Sequence, residues 1–133
     1  MRREEIVRRL TPIVAEALDR PVAEVTPHAS LLADLGAESI DFLDLQFRIE
    51  GAFGIKVGDE ELWRTAFDLD DERFVRGGRL TDAARAELER RQPDFRWQRF
   101  ESGLSVSDLP QLVTVASIAA QLETRLGAGE GAA

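Results

Sequence analysis

The sequence predicts a small all-α fold. Apolar side chains recur at helical spacing in three separate segments, at residues 3–19, 39–54 and 115–126. The chain has 133 residues and no cysteine, so we expect one domain without a disulfide framework. Hydrophobic residues make up 44% of the chain, which is enough to build a buried core.

The first predicted helix spans residues 3–19. Its apolar face consists of Ile6, Val7, Leu10, Ile13, Val14, Ala17 and Leu18. Pro12 lies inside this helix, where it is expected to kink or split it, and Pro21 closes it. A loop of small and polar residues follows, and four of its apolar residues are expected to enter the core: Val25, Leu31, Leu32 and Leu35.

The second predicted helix begins at Ser39, after a loop that ends in Gly36, and ends near Gly51 to Gly54. Serine is a favoured N-cap because its oxygen accepts an N–H of the first turn. The apolar residues of this helix cover more than one stripe: Ile40, Phe42, Leu43, Leu45, Phe47, Ile49 and Phe53. A helix that is apolar on so much of its surface must bury two faces or contact another apolar surface, such as an acyl chain or a partner protein.

Residues 63–108, here called the insert, contain six of the nine aromatic side chains: Trp63, Phe67, Phe74, Phe95, Trp97 and Phe100. This share indicates that the insert folds and packs. A helix is predicted from its cap at Thr81 to Arg91, ending before Pro93. Its apolar stripe of Leu80, Ala84 and Leu88 is narrow, so it should lie on the surface of the core.

The last predicted helix spans residues 115–126, with Thr114 as its N-cap. The glycine-rich residues 127–133 are predicted to be a flexible tail, which leaves residues 1–126 as the single domain.

Charge and composition exclude several functions. The net charge of −8 argues against nucleic acid as a direct partner, and residues 31–62 carry eight acidic against two basic side chains, or −6. The N-terminus lacks an apolar signal core, and we expect no membrane span and a cytoplasmic location. The acidic run 68–72 lacks the glycine of a calcium loop, so no metal site is predicted. No nucleophile elbow or phosphate loop occurs, so we predict no catalytic residues and no enzyme activity.

Residues 34–41, Asp-Leu-Gly-Ala-Glu-Ser-Ile-Asp, resemble the prosthetic-group site of the acyl carrier protein family. Residues 25–36, 53–57 and 114–118 resemble the first loop, the exit of the second helix and the start of the last helix of that family. The resemblance covers residues 1–62 and about 109–126. Most members have Asp and Leu on either side of the serine, where this chain has Glu38 and Ile40. Gly36-Ala37-Glu38 differs from the Gly-Gly pair usual in peptidyl carriers, which favours an acyl carrier.

The resemblance implies an acyl-carrier-type four-helix bundle, enlarged by a partly helical insert between helices two and three. It implies that Ser39 carries 4′-phosphopantetheine, transferred from coenzyme A by a phosphopantetheinyl transferase with magnesium. A phosphodiester there would lie at the positive end of a helix dipole. Acyl-loading, chain-elongating or acyl-transferring enzymes with basic surfaces are the implied partners of a monomeric carrier. Residues around the serine are expected to recognise these partners: Glu38, Ile40, Asp41, Phe42 and Asp44.

The cargo and the class of carrier stay open at this point. Residues 42–44 and 53–56 are similar to carriers of unusually long or hydroxylated acyl chains, including those destined for lipid A. The alternatives are a polyketide-type carrier, a carrier-like interaction module without cargo, and a hydrolase or acyltransferase with Ser39 as nucleophile. The insert could be a lid beside the second helix, a docking surface for one enzyme, or a stabilising appendage.

Overall fold

The computed structural model describes residues 2–57, 72–95, 97, 105, 108 and 111–132, with the backbone alone at residues 39 and 128–132. In this part of the chain there are four α-helices and one small hairpin. They are α1 (Arg3–Leu18), α2 (Ser39–Phe53), β1 (Val75–Arg76), β2 (Arg79–Leu80), α3 (Asp82–Arg91) and α4 (Val115–Ala132). The predicted helical bundle is confirmed.

Helix α1 is continuous through Pro12, so the expected split does not occur. Proline removes one backbone donor, but the packing of a buried face outweighs that loss. The helix ends at Leu18 because Asp19 adopts a left-handed conformation (φ 53°), and the N–H of Arg20 then bonds to the carbonyl of Ala15 at 2.9 Å. A single 3₁₀ turn follows at Val22–Glu24.

The loop between α1 and α2 is fixed to the segment before α4. The N–H of Leu31 donates to the carbonyl of Val113 (3.1 Å), and the Oγ of Ser30 donates to the carbonyl of Gln111 (2.6 Å). The N–H of Ala116 donates to the carbonyl of Pro27 (2.8 Å). The predicted docking of the loop is confirmed, since Val25, Leu31 and Leu35 are buried and Leu32 packs against the core. This anchoring determines where α2 can begin.

Helix α1 packs against both α2 and α4 around the core. Arg9 donates to the carbonyl of Ala52, and Arg48 lies 3.3 Å from Glu16, so α1 and α2 run antiparallel. The start of α1 therefore lies at the opposite end of the bundle from Ser39. The deepest side chains of the three helices are Ile6, Leu10, Val14, Leu45, Ile49, Ile118 and Leu122.

The insert contains the predicted helix α3 and a hairpin that was not predicted. Thr81 caps α3 by accepting from the N–H of Ala84 (3.1 Å), as expected. The hairpin turn is Gly77-Gly78, with φ angles of 58° and 75°. Two consecutive left-handed residues are typical of a tight hairpin turn, so this glycine pair was the available sequence signal.

The described part of the insert packs into the core. Ala84, Leu88 and Phe95 are buried, and the rings of Phe95 and Trp97 lie 5.8 Å apart. Arg3 of α1 pairs with Asp94 at 2.9 Å. The described residues of the insert therefore fold and pack as expected, while Trp63, Phe67 and Phe100 lie outside the described residues.

Helix α4 begins with a reciprocal cap between Thr114 and Ser117. The N–H of Ser117 donates to the Oγ1 of Thr114 (3.0 Å), and the N–H of Thr114 donates to the Oγ of Ser117 (2.9 Å). The predicted cap is confirmed. The helical backbone continues through Ala132, beyond the predicted end at residue 126. Since a helical backbone does not measure mobility, the flexibility of residues 127–133 stays a prediction.

Candidate functional site

The site predicted from the sequence lies at the first turn of α2, and its backbone differs in one detail from the expectation. Ser39 is the first helical residue, and the N-cap is Glu38, whose backbone is extended (φ −110°, ψ 169°). The prediction that Ser39 is the cap is wrong. The chain can still start the helix there because Glu38, the N-cap, and Asp41 form a capping box, in which Oδ2 of Asp41 accepts from the N–H of Glu38 at 2.8 Å.

Gly36 and Arg20 shape the approach to this turn. Gly36 has a φ of 70°, and a Cβ added there would lie 3.1 Å from Nη2 of Arg20. Nε of Arg20 donates to the carbonyl of Leu35 (3.2 Å), and its Nη1 lies 3.6 Å from Glu24. The N–H of Ala37 donates to the carbonyl of Leu31 (2.8 Å), which ties the last loop residues to the core. The loop that leads into α2 is therefore fixed by two hydrogen bonds, one from Arg20 and one to the carbonyl of Leu31.

The residues present at this turn suit a phosphodiester. Glu38 and Ile40, on either side of Ser39, are both exposed, so this turn of the backbone runs along the surface of the molecule. The first N–H groups of a helix have no acceptor within the helix and point toward an anion bound at its start. The guanidinium of Arg20 contacts the preceding loop at the carbonyl of Leu35. These donors would hold the phosphate of a group attached to residue 39.

An apolar face of α2 points to solvent. Ile40, Leu43 and Phe47 are 71%, 53% and 69% exposed, and their spacing places them on one side of the helix. Ile40 was predicted as a recognition residue, whereas Leu43 and Phe47 were not. Phe42 was predicted too, but it is half-buried against the core. The signal for the missing pair was the i, i+3, i+7 spacing from Ile40.

The acidic residues near Ser39 have different roles. Asp41 is half-buried and caps α2, while Asp44 is exposed and pairs with Arg48 (3.1 Å). The hydrogen bond that Arg48 donates to Asp44, followed by the one that it donates to Glu16, raises the pKa of Arg48 above its ordinary value. Glu50 accepts from the N–H of Val57 (2.8 Å) and so fixes the chain after α2. The negative field remains, but Arg48 offsets the part contributed by Asp44.

Two further features lie away from this turn. An open depression at the far end of α2 is lined by Phe47, Glu50, Gly51, Gly54, Ile55 and Lys56. Within the described ranges, no group of three or more His, Asp or Glu side chains is arranged to hold a metal ion. The helices described here include none that is long and apolar enough to cross a membrane.

Comparison with known proteins identifies the family. A family profile described as "Phosphopantetheine attachment site" matches residues 8–66. An acyl carrier protein of Rubrobacter xylanophilus is 44% identical over 61 residues, which cover 46% of this chain and 75% of that protein. An acyl carrier protein of Thermotoga maritima is 43% identical over 60 residues, covering 45% and 74%. One from Helicobacter pylori is 32% identical over 68 residues, covering 51% and 87%.

This chain belongs to the acyl carrier protein family. As an acyl carrier it is a non-catalytic carrier rather than an enzyme, and the family indicates a covalently attached 4′-phosphopantetheine. The profile includes the first turn of α2. No solved structure gave a significant match to the acyl carrier described here.

Proposed function

We propose that Ser39 is the residue to which 4′-phosphopantetheine is attached. The observation that supports this most strongly is the position of Ser39 as first residue of α2, inside the matched segment 8–66. Both of its neighbours are exposed, so a transferase can reach it. Attachment joins the serine oxygen to the phosphate of the pantetheine half of coenzyme A, releases adenosine 3′,5′-bisphosphate and frees the hydroxyl proton.

The composition of the chain explains why it needs this group. A thioester requires a thiol, and the sequence contains no cysteine. When bound, phosphopantetheine supplies the thiol on which an acyl chain is held. The chain's own contribution is to present Ser39 at a fixed turn, to stabilise the added negative charge with the N-terminus of α2, and to offer a surface to partner enzymes.

The experiment is to incubate the unmodified protein with a phosphopantetheinyl transferase, coenzyme A and magnesium. Wild type should gain the mass of one phosphopantetheine, and Ser39→Ala should gain none. Ser105→Ala serves as the control, because Ser105 lies in the insert and pairs with Asp108 (2.9 Å). Ser39→Ala should fold, since Ser39 is not the cap and alanine is well tolerated in a helix. Modification of Ser39→Ala at the wild-type rate would disprove the assignment.

We further propose that enzymes dock on the first two turns of α2. Glu38, Ile40, Asp41, Phe42 and Asp44 were the predicted recognition residues, and the exposed side chains Leu43 and Phe47 extend the surface. An exposed apolar face beside carboxylates would suit a partner that is apolar at its centre and basic at its rim. We expect a monomeric carrier in the cytoplasm, where acyl-loading, elongating and transferring enzymes would be its partners.

The proposed pathway is the synthesis of lipids from fatty-acyl or related chains, including unusually long or lipid A-type chains. The support is the similarity of residues 42–44 and 53–56 to such carriers. The alternatives are a polyketide-type carrier and an interaction module that carries no cargo. Mass measurement of the protein isolated from its native host would distinguish them, because an interaction module would carry no arm and each carrier would carry its own acyl group.

A further inference from the structure

The side chain of Arg20 contacts the chain that leads into α2. Its Nε donates to the carbonyl of Leu35 (3.2 Å). Its Nη2 lies 3.1 Å from the position that a Cβ on Gly36 would occupy. Gly36 precedes Ser39 by three residues, a separation of at most about 11 Å in an extended chain. The guanidinium therefore lies beside the chain three to four residues before the attachment position.

The other basic side chain of this region is poorly placed for that role. Between residues 19 and 53 the only lysine or arginine besides Arg20 is Arg48. Arg48 lies nine residues beyond Ser39, about 14 Å along the helix axis. It also has two carboxylate partners, Asp44 at 3.1 Å and Glu16 at 3.3 Å. The charge of Arg48 is therefore already paired, and the residue is too far along α2 to bind a phosphate at the start of the helix.

A cation near position 39 would stabilise a phosphodiester attached there. The phosphodiester adds a negative charge beside exposed Glu38 and half-buried Asp41. The helix dipole offsets part of the repulsion, and that effect is confined to the first turn. Among the described residues, the carboxylate paired with Arg20 is Glu24, at 3.6 Å, and the side chain of Arg20 is 43% exposed. Its planar fork can keep Nε on the Leu35 carbonyl while Nη2 pairs with an anion.

We propose that Arg20 is a positioning residue for the prosthetic group: its guanidinium pairs with the phosphodiester on residue 39 and orients the arm at its root. This inference rests on the proposed attachment at Ser39. A Cβ on residue 36 would lie 3.1 Å from Nη2 of Arg20 and would require a small shift of the guanidinium, so glycine at this position leaves room for Arg20 in addition to permitting the φ of 70°. Arg20 does not take part in the transfer reaction itself.

The test is a thermodynamic cycle on the full chain with and without the phosphopantetheine arm. The ratio of folded to unfolded protein is measured by urea titration for wild type, Arg20→Gln and Arg125→Gln. Arg125 is the matched control because it also donates to a backbone carbonyl, that of Lys56 (2.9 Å), near the far end of α2. Effects of Arg20→Gln on the fold itself appear in both forms and cancel in the cycle.

Adding the arm should change the folded-to-unfolded ratio more favourably in wild type than in Arg20→Gln, by a factor of about two to five, as for a partly exposed ion pair. Arg125→Gln should behave as wild type. The ³¹P resonance of the folded, arm-bearing protein should move toward its unfolded position in Arg20→Gln and not in Arg125→Gln. Arg20→Met, which keeps an unbranched apolar stem without the charge, should reproduce both effects.

The inference is overturned if either measurement fails to separate Arg20→Gln from the Arg125→Gln control. The proposed function fails in a different way, because wild type would then take up no arm at Ser39 and would give no phosphodiester resonance. That result would overturn both proposals, whereas an arm attached to Ser39 without coupling to Arg20 would overturn only this one.

Discussion

At the scale of single residues, three glycines around α2 lie in three different environments. Gly36 has a φ of 70° and is in contact with Arg20, whereas Gly54 has a φ of 65° and open space around it. Gly51 lies inside α2 with no neighbour within 4 Å of an added Cβ. The sequence predicted a turn at Gly36 and a helix end between Gly51 and Gly54. It could not distinguish the last two, since only the backbone angle shows which of them ends the helix.

Replacing each glycine by alanine should therefore change the free energy of unfolding in different directions. Gly36→Ala and Gly54→Ala should each lower the free energy of unfolding by about 1–2 kcal/mol, because an L-residue is strained at positive φ. Gly51→Ala should raise it by about 0.5–1 kcal/mol, because alanine is the better helix former. Urea denaturation of the unmodified protein measures all three. A loss for Gly51→Ala as large as that for Gly36→Ala would contradict this account.

The first turn of α2 shows how far residue-level prediction went. The sequence located the start of the helix at Ser39, because serine follows a glycine-ended loop and precedes an apolar run. It assigned the N-cap to Ser39, whereas the N-cap is Glu38, because several side chains near a helix start can supply capping acceptors. Glu38 and Asp41 form a capping box here, and Asp41 accepts from the N–H of Glu38.

At the scale of elements, α2 divides into a core face and an outer face. Leu45, Ile49 and Phe53 are buried, while Ile40 and Phe47 are about 70% exposed. The sequence predicted that one stripe could not hold all the apolar residues of this helix. It could not say which residues face outward, because that depends on how α1 and the anchored loop pack against the helix.

The charge at the start of α2 can be tested against this arrangement. Glu38→Lys should slow modification by a transferase at low salt by a factor on the order of ten, because partner encounter is steered by charge. Asp44→Lys should slow it less, because Arg48 already offsets Asp44. Asp41 is left unchanged, since it caps the helix. Modification rates from 0.1 M to 1 M salt should converge, as the Debye length falls from about 10 Å to about 3 Å.

The control for these variants is Glu5→Lys, which reverses an exposed charge in the first turn of α1, at the opposite end of the bundle. It should leave the modification rate close to that of wild type. Equal rates for Glu38→Lys and Glu5→Lys would mean that the acidic residues near Ser39 serve only solubility, and that partner contact is apolar.

Helix α3 offers the corresponding test of the insert. Leu88 is 1% exposed and belongs to the core, so Leu88→Ala should lower the free energy of unfolding by about 2–5 kcal/mol. Glu89→Ala, next to it on the exposed face, should change it by less than about 0.5 kcal/mol. Urea titration of both variants decides. A small effect of Leu88→Ala would show that the insert is an appendage rather than part of the core.

At the scale of the whole molecule, the insert and the bundle form a shared core. Arg3 pairs with both Asp94 of the insert (2.9 Å) and Glu123 of α4 (3.2 Å), and Thr114 donates to the carbonyl of Asp94 (2.6 Å). Replacing residues 63–108 by a flexible linker would therefore remove core side chains as well as any lid. Substitutions on the surface of the insert are the better probes of its role in cargo length or enzyme docking.

The sequence predicted the helices of the molecule better than the long-range contacts between them. Caps, periodicity and aromatic content are local signals, and they identified α1, α2, α3, α4 and a folded insert. The Ser30–Gln111 and Arg3–Asp94 contacts join residues more than 80 positions apart, and no local signal predicts such pairs. The site was predictable because its start of helix, its serine and its carboxylates are contiguous, whereas Arg20 contacts the preceding loop at Leu35 from just beyond the end of α1.

The measurement that tests the central claim most directly is the intact mass of the protein isolated from its native host, followed by fragmentation of the peptide that contains residues 34–48. This account predicts a mass increase of one phosphopantetheine, with or without an acyl group on its thiol, and places the increase on Ser39. An unmodified mass in cells that modify their other carriers, or an increase located on another residue, would contradict it.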